Sequence, residues 1–353
     1  MWKFIILSII VLVACKQNNT PKTEQIKNTL ETVDIKYATN FKLKKHATGY
    51  LLELINPNTK KVERTIEIIP KEHKKIISLV APLNGMLSML EAQDILVGIS
   101  SIHHVYDPTI KAMFKKGSIK AYGDKSQNST EKIIASGATI VFYDVVDETY
   151  EHQAKLRQFG IDVVPIYDWR EDHPLAKAEW IKVVGAITGK MKAANAFFQD
   201  VESHYKQLSK IGTNYKLQPS VVCGELIGDS WYTPGGANYF AKIIADAGGS
   251  YRYKNTKTNA SLALTIEQIL SENKDAKFWL NAGNSSKKSI LATNPHVQYL
   301  DAFKNNIYCY SKGMKKYWEQ SSARPDLVLS DLIHIFHPEE TSIAELYFYQ
   351  NIK

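Results

Sequence analysis

The stretch PLAKAEWIKVVGAITGKMKAANAFFQDVESHYKQLSKI, residues 174–211, decides the fold. Within it Trp180, Ile181, Val184, Ile187, Ala194, Phe197, Phe198, Val201 and Tyr205 recur at helical spacing, so nearly all of it reads as helix. Gly185 and the pair Thr188-Gly189 are expected to bend or split it. Beyond them, residues 191–211 form one uninterrupted run of roughly 20 residues, about 30 Å long at the helical rise. A helix of that length can run between two lobes.

Both flanks supply a lobe. On the N-terminal side short apolar strands at 75–80, 95–99, 139–143 and 163–166 alternate with helices at 82–92, 131–136 and 149–159. On the C-terminal side strands at 220–223, 277–281 and 307–310 alternate with helices at 238–247, 266–271, 295–300 and 326–336. Short all-apolar strands separated by helices are what a parallel sheet covered on both faces requires. The expected architecture is α/β, with two Rossmann-like lobes joined by one long backbone helix. The expected divisions are 34–173 for the first lobe, 174–213 for the helical segment and 214–353 for the second lobe. Residues 34–69 begin the first lobe with alternating runs, YLLELINP and RTIEIIP around an Asn56-Pro57-Asn58 turn, which fits a small antiparallel β cap. A weak internal repeat places STEKIIAS, from Ser129, and TIEQILSE, from Thr265, at matching points of the two lobes.

Residues 1–14 are read as a signal peptide, because Lys3 precedes an apolar run too short to span a bilayer. Leu12-Val13-Ala14-Cys15 resembles a bacterial lipobox, so Cys15 is expected to carry lipid, with residues 15–33 as tether. A retained signal anchor is the alternative. Two further cysteines, Cys223 and Cys309, lie in apolar β-like runs and read as buried thiols rather than as a bridge or metal pair. The 353 residues carry 44 basic and 36 acidic side chains, with 44% hydrophobic and 23% charged residues. That balance excludes disorder, collagen-like repetition and a multispan membrane protein. Lys44-Lys45, Lys60-Lys61 and Lys115-Lys116 are scattered rather than gathered in a stripe, so no nucleic-acid partner is expected.

The chain resembles the helical-backbone class of substrate-binding proteins of bacterial ABC importers. The resemblance spans residues 68–349 and rests on Lys75-Ile76-Ile77-Ser78-Leu79, Leu96-Val97-Gly98-Ile99, Glu131-Lys132-Ile133-Ile134, Trp231-Tyr232-Thr233-Pro234-Gly235-Gly236 and Asp246-Ala247-Gly248-Gly249. The 174–180 segment, Tyr317-Trp318-Glu319, and 324–329 with 336–339 look like the branch common in Bacteroidota. Two departures stand out: Ala138-Thr139 replaces a usual Pro-Asp, and the His-rich loop of zinc receptors is absent, which argues against a free metal ion. The resemblance implies a periplasmic, lipid-anchored monomer, on the inner membrane before the outer. It would have no resident cofactor, and would pass an iron chelate, haem or cobalamin to a permease dimer with its ATPase subunits. It further implies that Glu131 and Glu267 dock into arginine pockets of the two permease subunits. A helix-capping role is the alternative for those glutamates, with Asn128 three residues before Glu131.

The ligand is expected between the lobes, where loops after strand ends face each other. Tyr143 through Asp147, Tyr167-Asp168-Trp169-Arg170, Trp231-Tyr232, and Lys315-Lys316-Tyr317-Trp318 with Arg324 supply aromatic rings for stacking and cations for carboxylates. Trp231, Trp318 and Arg324 are the first choices, followed by Tyr232, Tyr317, Tyr143, Trp169 and Arg170. His103-His104 reads as a solvated loop rather than a metal ligand, and His334 and His337 as residues favoured at a helix C-terminus. Gly235-Gly236 before a helix offers free N–H groups to an anion. Nucleophile-elbow, phosphate-loop, dinucleotide and zinc-protease motifs are all missing, which disfavours enzymes. An exported hydrolase and a surface scaffold lipoprotein remain the alternatives.

Overall fold

The computed structural model describes residues 30–70, 72, 75–123, 127–144, 153–283, 286–310, 315–340 and 345–353. The signal segment, Cys15 and residues 145–147 lie outside them. Among the described residues no helix is long and apolar enough to cross a membrane.

The chain opens with an antiparallel sheet in the order β1 (Glu31–Thr32), β2 (Phe41–Lys45), β3 (Tyr50–Ile55), β4 (Val62–Ile68). Leu43 pairs with Leu52 and Leu52 with Ile66, so the alternating apolar residues share one buried face. Two buried glutamates fasten this cap to the helices. Glu179 accepts the N–H groups of Lys36, Tyr37 and Ala38 at 2.8–2.9 Å, and Glu171 those of Thr39 and Asn40 at 3.0 and 3.1 Å. Glu171 also takes the Trp180 indole N–H at 3.1 Å. Burial raises the Glu171 carboxyl above its ordinary value, against the pull of those donors.

The first lobe runs β5 (Ile76–Ser78), α1 (Ala81–Met89), β6 (Leu96–Ile99), α2 (Pro108–Lys115), β7 (Lys120–Ala121), α3 (Gln127–Ala135), β8 (Ile140–Asp144), α4 (Gln153–Gln158), β9 (Asp162–Ile166). Its strands form a parallel sheet in the order β7-β6-β5-β8-β9. The order reverses across β5, which makes this a doubly wound sheet with its ligand side at the C-terminal strand ends.

The connecting segment is three helices: α5 (Pro174–Glu179), α6 (Ile181–Thr188) and α7 (Met191–Asn214). The expected break at Gly189 is present, with φ of 73°. Gly185 bends nothing. It lies inside α6, where a Cβ would stand 2.6 Å from that of Ala194, so its role is to let α6 and α7 pack closely. The other break falls at Trp180. The 24 residues of α7 extend about 36 Å.

The second lobe contains β10 (Ser220–Cys223), β11 (Glu225–Ile227), β12 (Ser230–Pro234), α8 (Tyr239–Asp246), β13 (Ser250–Tyr251), β14 (Ser261–Leu264), α9 (Ile266–Asn273), β15 (Phe278–Leu280), α10 (Lys287–Thr293), β16 (Ile307–Tyr310), α11 (Lys315–Gln320), α12 (Pro325–Phe336) and β17 (Tyr349–Asn351). Its main sheet has the order β13-β10-β15-β16-β17, parallel except for β17. β11, β12 and β14 form a separate antiparallel sheet that the sequence reading did not anticipate. The expected helix at 295–300 is a 3-10 segment, Pro295–Tyr299. Cys223 and Cys309 are buried and unbridged. α7 buries Phe198, Val201 and Tyr205: the Phe198 ring lies 6.1 Å from that of Tyr37 in the cap, and the Tyr205 hydroxyl donates to Asp246 Oδ2 of the second lobe at 2.7 Å.

Candidate ligand cleft

A cavity of about 660 Å³ opens where the C-terminal ends of the first-lobe strands meet α8 and α11. After β5 come Leu79, Val80, Ala81 and Pro82; after β6, Ser100, His103 and His104; β8 ends on Asp144; after β9 follow Asp168 and Trp169. The second lobe contributes Tyr239, Tyr317, Trp318, Ser321 and Ser322, and Lys177 on α5 completes the lining. Its size is that of an ordinary small-molecule site.

Local structure fixes each wall. Tyr317 is buried and stacks on Tyr310 with ring centroids 3.8 Å apart, leaving its neighbour Trp318 half exposed. The Arg170 guanidinium lies 5.1 Å from the Trp169 ring centroid, and the Trp169 indole N–H is shut off from water with no acceptor. At the base Lys177 is buried, its Nζ 3.7 Å from the Tyr239 ring centroid and 3.9 Å from Asp168 Oδ2. Burial works to lower this ammonium, but Tyr239 and Asp168 outweigh it and hold it above the ordinary lysine value. Asp168 in turn accepts the Ser322 hydroxyl at 2.7 Å, a buried bond between the first-lobe loop and the segment after α11.

Of the eight ligand candidates chosen from the sequence, Trp169, Tyr317 and Trp318 line the cleft. The others are placed elsewhere. Trp231 is fully buried, donates its indole N–H to the Cys223 carbonyl at 2.9 Å and packs 5.0 Å from Trp279, because β12 turns that side of its pleat to the core. Tyr232, on the opposite side, faces solvent away from the cleft. Arg324 grips Asp326 with both arms at 2.9 and 2.7 Å at the start of α12. Arg170 donates to Asn58 Oδ1 at 2.5 Å, tying the β9 loop to the cap. Tyr143 is buried in the first lobe and accepts from Gln153 at 2.7 Å. The anion site at Gly235-Gly236 is also withdrawn: their N–H groups already donate to the Ala260 carbonyl and the Thr256 hydroxyl at 3.0 and 2.7 Å.

The histidine readings divide. His103 and His104 are exposed, as a solvated loop requires, yet their 3-10 turn brings both onto the cleft wall. His337 is buried against Tyr215, ring centroids 3.9 Å apart, at the end of α12. Among the described residues no group of three or more His, Cys, Asp or Glu side chains converges on a metal position. Glu131 and Glu267 are both exposed. Glu267 sits in the first turn of α9, beside a capping box between Thr265 and Gln268, whereas Glu131 lies beyond the first turn of α3; the side chain of Asn128 lies outside the described residues.

Lys177, Tyr239 and Ser322 were in none of the loops chosen from the sequence, and Asp168 lay in one without being singled out. Asp144 and Asp168 were legible from position alone, standing at or just after parallel strand ends. Lys177 carried a subtler signal: it precedes Trp180, Ile181 and Val184 at helical spacing, so a charge sits on an apolar stripe.

A cleft between the strand ends of one α/β lobe and the helices of another, with helices spanning between the lobes, is the architecture of a two-lobed binding fold. A family model described as periplasmic binding protein matches residues 77–310, and the chain belongs to that family, whose members bind solutes and are not enzymes. A periplasmic heme binding protein from Pseudomonas aeruginosa superimposes with a TM-score of 0.62 at 15% identity, covering 79% of this chain and 98% of its own. The periplasmic vitamin B12 binding protein of Vibrio cholerae gives 0.54 at 13%, covering 76% and 99%. An uncharacterized lipoprotein of Methanocaldococcus jannaschii is 26% identical over 249 residues, 69% of this chain, and the chain spans 59% of that relative's length.

Proposed function

We propose that the protein is the substrate-binding component of an ABC importer, holding an iron complex in this cleft and releasing it unchanged to the permease. The observation that carries this is the wall of Trp169, Tyr239, Tyr317 and Trp318 around about 660 Å³ at the strand ends. Flat conjugated ligands stack on such rings. The lining favours haem over a polyanionic siderophore, since among the described residues it holds the ammonium of Lys177 against the carboxylates of Asp144 and Asp168. Cobalamin is the second reading, favoured by the engagement of Arg324 and Arg170 outside the cleft. Cys15 would carry the lipid that tethers the receptor in the periplasm, at the inner membrane. The lipoprotein name of the Methanocaldococcus jannaschii relative supports the lipid attachment. Glu131 and Glu267, exposed on helices of different lobes, would dock the permease subunits.

Tryptophan fluorescence against haemin, ferric siderophores and cyanocobalamin tests the assignment. Haemin is expected to quench strongly in the wild type and less in Trp318→Ala, with affinity falling about tenfold if a stacking partner worth roughly 1–1.5 kcal/mol is lost. Tight binding of cyanocobalamin alone would move the assignment to the second reading. Binding of none of these probes would defeat it.

A further inference from the structure

Tyr317 and Trp318 reach the cleft from α11, and the next residue on that helix turns elsewhere. Glu319 is wholly shut off from solvent, and its carboxylate crosses to the first lobe. Oε2 accepts the Tyr106 N–H at 2.6 Å and Oε1 the Asp107 N–H at 2.9 Å. The main chain seals the same junction: a Cβ on Gly85 of α1 would stand 1.8 Å from the Glu319 carbonyl oxygen. On its other side α11 stacks Tyr317 on Tyr310 of the second lobe. The helix is therefore a strut between the lobes, and Glu319 is its polar attachment.

We propose that Glu319 is the positioning residue of the cleft, latching α11 to the turn before α2 and so setting where Tyr317 and Trp318 stand against the first-lobe wall. The consequence for binding rests on reading the cleft as the ligand site. Two successive N–H donors match the two oxygens of one carboxylate, and leaving them unpaired out of water is costly. Asp107 extends the attachment, since its Oδ1 caps α2 through the Ile110 N–H at 2.7 Å and its Oδ2 accepts from Ser88 of α1 at 2.5 Å.

The latch responds to pH. Burial pushes the Glu319 carboxyl up to about 7 against the pull of the two N–H groups; Asp107 adds to the rise and Lys111 of α2 opposes it. Tyr106 is the other titratable residue beside Asp107, α1 has no charged residue, and the 3-10 turn Ile102–His104, which also packs against α11, carries His103 and His104. Opening the junction returns Glu319 to water and to the ordinary glutamate value, so the latched state holds the extra proton. Latching is fullest in acid and weakens as pH rises through about 7, by about tenfold per pH unit between those two values.

Amide exchange at Tyr106 and Asp107, corrected for the intrinsic rate, reads the latch without ligand, and quenching by haemin reads the cleft. From about pH 5 to 8, wild-type protection and haemin affinity are both expected to fall by about tenfold or more. Glu319→Gln, which cannot ionise and keeps one oxygen for only one of the two N–H groups, should hold part of the protection and flatten both profiles, and Glu319→Ala should lose the protection throughout. Should the alanine variant fail to fold, the glutamine profile decides. Wild-type protection in Glu319→Ala, or a Glu319→Gln profile as steep as wild type, would overturn the latch. Haemin that leaves wild-type fluorescence unchanged counts against the cleft reading, while the exchange profile still passes or overturns the latch.

Discussion

Trp231 shows how little a side chain's type says about its job. It is a large aromatic beside Gly and Pro, as a ligand-stacking residue would be, yet its indole N–H is spent on the Cys223 carbonyl and its ring on Trp279. Trp231→Ala should therefore cost about 3–5 kcal/mol of stability through the cavity it leaves. In urea unfolding its midpoint should drop, while the folded fraction keeps wild-type affinity for whichever probe binds. Lost affinity without lost stability would put the ring back in the cleft. Arg324 follows the same logic, since Asp326, fully buried, is held by the Arg324 guanidinium and lies 2.8 Å from His204 Nδ1, and it needs those partners where they are. Lys177 is the converse case: an ordinary lysine in the sequence, it becomes a cleft residue because α5 turns it toward Tyr239 and Asp168.

Helices and strands were legible to the extent that their periods were. The alternation of 34–69 became β2, β3 and β4, and the helical spacing of 191–211 became α7. Glycines were less transparent, because the same residue breaks a helix at Gly189 and tightens a helix pair at Gly185. Gly85 belongs to the second kind. Its α1 backbone meets the Glu319 carbonyl with no room for a methyl, so Gly85→Ala must push α11 away from the first lobe. That variant should unfold earlier on heating and bind haemin at least about tenfold more weakly, the equivalent of about 1.4 kcal/mol. A variant as stable and as tight as wild type would show that the lobes are not in close contact there in solution.

For the whole molecule, delivery should separate from capture. Glu131 and Glu267 are both exposed, on α3 and α9 of opposite lobes, and neither lines the cleft. Replacing both by alanine is expected to leave ligand affinity within about twofold while uptake by cells collapses, as loss of two charge-assisted contacts to a partner would produce. Weakened binding in the folded double variant would contradict their placement. Two lobes, their α/β class and the helix between them were all readable before any coordinates, because hydrophobic period is local and each element prints its own. The ligand wall was readable only in part. Strand ends pointed to Asp144, Asp168 and Trp169, but Trp231 and Tyr232 are adjacent, and which of them is buried depends on the side of the pleat that β12 turns to the core. The latch at Glu319 joins residues 213 and 212 positions apart. No local pattern encodes such a meeting; it exists only once both lobes have folded and their backbones have come into contact.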